Sequence, residues 1–193
     1  SEVGGIKRSG AALGTASNVE HAADVLAALI YQSGGRIIDP ATKTSPLKGP
    51  ATESALLFYT SFANSTRKTY SWNAFFEDSI QAFTAGNAAM AFGYARDVKT
   101  VAAVNPQLNF DVAPLPQDSS DTPQANIGRF TLLGVSRSSP RRELAWKFLL
   151  WLQGQKIQKT YIDAVGLPPA RRDLVITKPP ADYLLPFYDQ VLS

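Results

Sequence analysis

Apolar side chains recur at helical spacing in several stretches of the chain. Val19, Ala22, Val25, Leu26, Leu29 and Ile30 fall three or four residues apart, which predicts an amphipathic helix. Ser17 or Asn18 stands at its N-cap position, with Glu20 and His21 in the first turn, and Gly34 and Gly35 provide the stop. A second helix is predicted over about 53–64, burying Ala55, Leu56, Tyr59 and Phe62. Shorter ones follow over about 75–84 and 96–104, ended by Gly86 and Pro106. Ser138 and Ser139 before Pro140 predict a capped start with proline in the first turn of a helix running to Leu152. Further helical pieces are predicted over about 155–165 and 183–192. Between these lie extended candidates. Ala88, Ala89, Met90, Ala91 and Phe92 form an apolar run that predicts a buried strand in a partly parallel sheet. Weaker strands are predicted over 7–13, 108–115 and 129–135. Helices alternate with short strands, so the predicted class is α/β.

Composition narrows the chemistry. The 193 residues are 45% hydrophobic and 18% charged, with 19 basic and 16 acidic side chains, so the chain is built to bury a core. No apolar run is long enough for a bilayer. The chain has no cysteine, which excludes disulfides, thiolate metal sites and a cysteine nucleophile. Its one histidine, His21, excludes a His-rich metal site and reads as a solvated or capping residue. No Gly-rich phosphate loop and no Gly-x-Ser-x-Gly motif occurs. Glu77 and Asp78 are adjacent, so on a helix they would not face each other as a catalytic pair. Residues 137–172 hold eight Lys or Arg against Glu143 and Asp163. The interleaved Trp146, Phe148, Leu149, Leu150, Trp151 and Leu152 favour solvated helical faces over a nucleic-acid surface. The chain opens on Ser1 and stops within a predicted helix, so a piece of a longer protein is expected, with localisation signals outside it.

The informative polar and aromatic residues lie at element ends. Asn18 falls where a strand turns into a helix, Trp72 lies in a loop, and Tyr94 and Arg96 follow the apolar run 88–92. Ligands of open α/β sheets bind beyond strand C-termini, beside helix N-termini. Against this stands ordinary packing for Trp72 and Tyr94, and an ion pair with Asp97 or Glu77 for Arg96.

Four stretches, in order, carry a resemblance. They are Ala12, Leu13 and Gly14 with the helix ending Gln32, Ser33, Gly34, Gly35; residues 82–94, AFTAGNAAMAFGY; residues 110–117, FDVAPLPQ; and residues 143–152, ELAWKFLLWL, followed by GLPPAR at 166–171. Together they resemble the extracellular solute-binding proteins of ABC importers, in the maltose-binding-like group called family 1. The resemblance implies a periplasmic-binding-protein-like fold of type II, with two α/β lobes joined by hinge strands. On it, residues 1–113 form the main part of the second lobe and 114–128 a hinge crossing. Residues 129–168 return to the first lobe, and the tail 169–193 re-enters the second. The front part of the first lobe has no counterpart here.

The function so implied is non-catalytic: capture of a small solute, with carbohydrate as first choice, and delivery to ABC permease subunits, without metal or cofactor. Asn18, Trp72, Asn73, Tyr94 and Arg96 are the implied ligand-binding residues, with Trp72 and Tyr94 as stacking faces and Asn73 and Arg96 as hydrogen-bond donors. The location implied is extracytoplasmic, periplasmic or at the cell surface, with a lipid anchor at a missing N-terminus as one mode. If the helix over 141–152 packs on an absent lobe, Trp146, Phe148, Leu149 and Leu150 lack a cover, at a cost of roughly 1.5–3 kcal/mol each. Another chain or segment is then expected to supply it. Two alternatives remain: an α/β hydrolase-like enzyme, which needs His21 as base, and a basic interaction module using 137–172. Nucleic acid is not an expected partner.

Overall fold

A computed structural model describes residues 5–117, 124–175, 179 and 181–192. The chain divides into two compact units, one of residues 1–110 and 115–127, the other of residues 111–114 and 128–193.

In the first unit, α1 (Ala22–Gln32) and α2 (Pro50–Ser61) pack together, as do α3 (Ser79–Thr84) and α4 (Ala95–Val104). Helix α1 stops as expected: Gly34 takes the left-handed conformation at φ 78°, and the Gly35 N–H reaches back to the Ile30 carbonyl at 2.8 Å. Its start differs from the expectation. His21 holds the N-cap position, itself left-handed at φ 61°, because Asn18 is drawn away into other bonds. Helix α2 begins three residues earlier than the periodicity suggests, since Pro50 fits the first turn. Leu56, expected inside, is 46% exposed. Helix α3 starts only at Ser79, where the Asp78 carboxylate accepts from the Ile80 N–H at 3.0 Å.

No β-strand forms among the described residues. Of the strands expected over 7–13 and 88–92, only one parallel bridge forms, Ser9 with Ala88. The Ser9 N–H donates to the Asn87 carbonyl and the Ala89 N–H to the Ser9 carbonyl, both at 2.8 Å. Further along, the Ala12 N–H donates to the Met90 carbonyl at 3.1 Å and the Leu13 N–H folds back to the Ala11 carbonyl at 3.0 Å. The segments 108–115 and 129–135 likewise run without strand pairing. The extended chain at 9–13 still keeps a two-residue alternation. Ala12 packs into a cluster with Ile6, Val19, Trp72, Phe76, Ala82 and Ala88, while Ala11 and Leu13 pack into another with Val25 and Tyr59. Residues 115–117 and 124–127 attach to this unit through Gln32, whose side-chain amide donates to the Pro116 carbonyl at 3.0 Å.

The second unit carries α5 (Arg142–Leu152), α6 (Gln155–Val165), α7 (Arg172–Val175), a 3₁₀ turn (Asp182–Leu184) and α8 (Leu185–Leu192). Helix α5 starts two residues after Pro140, so that proline precedes the helix and is not its first residue. Helix α5 has no buried residue. Trp146, Phe148 and Leu150 are at least half exposed, and Leu149 is half-buried. Leu174, Val175, Leu184 and Tyr188 are buried. Arg171 bridges Asp173 and the Gln153 carbonyl, at 2.9 and 2.7 Å. Parts of the polar stretch 117–126 and of 176–180 lie outside the described residues.

Candidate functional site

The turn 15–21 organises the first unit where the 9–13 segment gives way to α1. Asn18 is its anchor. The Asn18 Nδ2 donates to the Asn73 carbonyl at 3.0 Å and to the Phe76 carbonyl at 2.9 Å. Its Oδ1 accepts from the Thr15 hydroxyl and from the Trp72 indole N–H, the latter at 3.2 Å. The main chain joins in. The Ser79 N–H donates to the Asn18 carbonyl at 2.9 Å, and the Glu20 N–H to the Ser79 hydroxyl at 2.8 Å. One asparagine thus fastens two segments that lie more than fifty residues apart in sequence.

Trp72 is fully buried, with its ring stacked on Phe76 at 4.5 Å and 10° between planes. As placed, it is a packing residue and presents no open face. Asn73 is also buried. The Asn73 Nδ2 donates to the Tyr70 hydroxyl at 3.2 Å, and its Oδ1 accepts from the Phe75 N–H at 2.9 Å.

Tyr94 belongs to a second cluster, joined to the same turn through His21. The Tyr94 hydroxyl donates to Asp24 at 2.9 Å, and its N–H donates to the Asp97 carboxylate at 2.7 Å. The same Asp97 oxygen meets His21 Nε2 at 2.8 Å. A carboxylate only accepts, so that nitrogen carries the proton. The Tyr94 ring stands edge-on to the imidazole, with centroids 4.7 Å apart. Asp97 folds back in this way because Gly93 has no side chain; a Cβ there would lie 3.0 Å from the Asp97 oxygen. Of the expectation that His21 is solvated or capping, the first part is corrected, since its side chain is 3% exposed and its other nitrogen lies 3.8 Å from Glu20, while it does hold the N-cap position of α1 without a side-chain cap bond. Arg96 is exposed at the head of α4. It forms no ion pair with Asp97 or Glu77; Asp97 serves His21 and Tyr94, and Glu77 accepts from Asn87 at 2.8 Å.

The structure therefore joins Asn18, Trp72 and Asn73 in one cluster, sets Tyr94 in another, and leaves Arg96 exposed. Sequence reasoning did not assign Asp24 to this cluster, and it named Asp97 only as a partner for Arg96. The signal for Asp97 was available: it lies three residues beyond Tyr94, the spacing at which a carboxylate reaches back to a helix N-cap. Among the described residues, no group of three or more His, Cys, Asp or Glu side chains could hold a metal ion.

The chain belongs to the bacterial extracellular solute-binding proteins, whose family model matches residues 10–184. The resemblance read from the order of its motifs holds at that level. Among solved structures, it shares its fold with an ABC transporter solute-binding protein from Thermotoga lettingae TMO bound with α-D-tagatose. The TM-score is 0.63 at 23% identity, covering 88% of this chain and 43% of that one. The chain thus spans less than half the length of that protein. No curated protein matches it in sequence.

Proposed function

We propose that this chain is part of the solute-binding subunit of an ABC importer, which captures a small carbohydrate outside the cytoplasm and delivers it to permease subunits. It binds and does not catalyse. The fold it shares with a tagatose-bound solute-binding protein carries the reading. In this scheme residues 1–113 form most of the second lobe, 114–128 cross between lobes, and 129–168 belong to the first, each lobe being α/β in the complete protein. The tail 169–193, assigned by the motif order to the second lobe, clusters here with 128–168. The exposed Trp146, Phe148 and Leu150 of α5 support a cover supplied by the rest of the first lobe, from another segment or chain. A lipid anchor would hold the whole protein at the membrane.

Tyr94 and Arg96 are the solute contacts in this reading, one offering a ring edge and the other a charged donor. Asn18, Trp72 and Asn73 act as structural residues of the same unit, since direct contact would break the bonds they already make. A thermal-shift series on the full-length protein against monosaccharides, D-tagatose among them, tests this. A rise in Tm that grows with sugar concentration is expected. No shift with any sugar at millimolar concentration would remove carbohydrate as the solute.

A further inference from the structure

We propose that Gln32 and Gln117 are positioning residues for lobe closure. Their side-chain amides clamp 115–117 and 125–126 to the first unit, so that bending is confined to the joints at 110–111, 114–115 and 127–128. The inference rests on the solute-binding reading above, in which the chain crosses between two lobes, and assigns the residues that decide where the crossing bends. The chain passes between the two compact units at those three places. A crossing as long as 114–128 would make a poor hinge if all of it were free, because hinges concentrate the change in a few residues.

The sequence explains why side chains serve here. Pro114 and Pro116 have no N–H, so the stretch cannot be held through ladder bonds donated at those positions. Its carbonyls are taken up by amides. Gln32, the last residue of α1, is buried. Its Nε2 donates to the Pro116 carbonyl at 3.0 Å and, less closely, to the Ala125 carbonyl at 3.4 Å. The Gln117 Nε2 donates to the Leu115 carbonyl at 2.9 Å and to the Asn126 Oδ1 at 3.2 Å. The Gln117 Oε1 accepts from the Ala125 N–H at 2.9 Å. One glutamine thus ties the two passes of the chain to each other, and the other ties both to α1. Phe110, the last residue before the first joint, stands edge-on to Phe83 of α3, with centroids 5.8 Å apart. Every joint therefore begins close to an anchor on the first unit. Beyond the anchors, 111–114 are held differently. Among the described residues their one hydrogen bond is local, from the Val112 N–H to the Asp111 carboxylate at 2.8 Å. Pinned flanks leave closure few torsions to change and little freedom to lose when a solute holds the lobes together.

The test uses the full-length protein without solute, spin-labelled at Ser54→Cys in the first unit and Lys156→Cys in the second, both exposed positions. Double electron–electron resonance reads the distribution of distances between the labels, and hydrogen exchange reads the Ala125 amide. Gln117→Ala should speed Ala125 exchange about fivefold or more, the worth of one lost hydrogen bond. It should also broaden the distance distribution by about 1.5-fold or more, because reach grows with the number of freed residues. The amides of α1 should exchange as in wild type, which separates a positioning role from a general loss of structure. Gln32→Leu keeps the buried volume and removes the donors, so it should broaden the distribution likewise; it carries the test if Gln117→Ala does not fold. Faster Ala125 exchange with an unchanged width would overturn the proposal, as would broadening accompanied by faster exchange throughout α1. An Ala125 amide that exchanges equally in wild type and Gln117→Ala would overturn it too, since the clamp is then not made. Because the measurement is made without solute, a protein that binds none of the sugars loses the carbohydrate reading and keeps the clamp.

Discussion

At the scale of single residues, His21 shows how much one side chain is asked to do. Its backbone occupies a left-handed conformation that costs a non-glycine residue about 1–2 kcal/mol. Its imidazole, almost entirely enclosed, ties the head of α1 to Asp97 on α4. Two substitutions separate these contributions. His21→Gly loses the imidazole and relieves the backbone, whereas His21→Ala loses the imidazole and keeps the strain. Chemical denaturation should therefore rank wild type above His21→Gly and His21→Gly above His21→Ala. An alanine variant as stable as the glycine one would show that the strain is absent. Tyr59 gives a pH-dependent case. Burial raises its phenol above the ordinary range, and its hydroxyl donates to the Thr15 carbonyl at 2.7 Å. The neutral form is the one the fold favours. Its contribution is fully present below the unfolded pKa near 10 and is lost as pH rises through the higher folded value. Urea denaturation should show stability falling above pH 10, with a smaller fall in Tyr59→Phe. The same variant should lose about 1 kcal/mol at pH 8, the worth of one hydrogen bond.

At the scale of elements, the helices were legible and the strands were not. The three-to-four spacing of Val25, Leu26 and Leu29 and the glycines after Gln32 are local signals, and α1 ends where they put it. The run 88–92, expected as a buried strand, is covered only at Ala88; Ala89 and Met90 are exposed, and Ala91 and Phe92 are half-buried. Pairing depends on a neighbour in register, and after Ser9 the next bond between the two segments, from the Ala12 N–H to the Met90 carbonyl, does not continue the two-residue step of a ladder. The site was half legible for the same reason. Asn18 and Asn73 are polar residues in turns, and a single sequence does not tell whether such amides face solvent or a carbonyl fifty residues away. Gly14 exposes the close approach between the extended segment and the end of α2. A Cβ there would sit 2.6 Å from the Ala63 nitrogen and 3.1 Å from the Tyr59 carbonyl, at φ 108°. Gly14→Ala should cost more than about 2 kcal/mol, since backbone on both sides must move. Gly34→Ala, with open space around it, should cost about 1 kcal/mol from its left-handed conformation alone. Denaturation midpoints of the two variants check the order, and a milder Gly14 variant would contradict the close contact.

At the scale of the whole molecule, α5 is the element most at odds with its surroundings. Leu144, Trp146, Phe148, Leu150 and Trp151 are each 50% exposed or more, an apolar surface that a finished protein rarely leaves in water. One substitution should then act in opposite directions on two lengths of chain. In the 193-residue chain, Phe148→Ser should reduce self-association, measured by light scattering, and dye binding to exposed apolar surface. In the full-length protein it should lower the Tm if the proposed first lobe covers α5 there. A neutral effect in the full-length protein would show that α5 stays uncovered there too.

The alternation along 9–13 sets a rule for how this sequence can change length. Ala12 serves one cluster while Ala11 and Leu13 serve the other, so the segment works as a partition whose residues take sides by parity. Losing or gaining a single residue within it would send each following side chain into the wrong compartment, whereas a change of two would restore the sides. Deletions in this stretch are therefore tolerated by even steps, while the exposed loop 36–49 is under no such arithmetic.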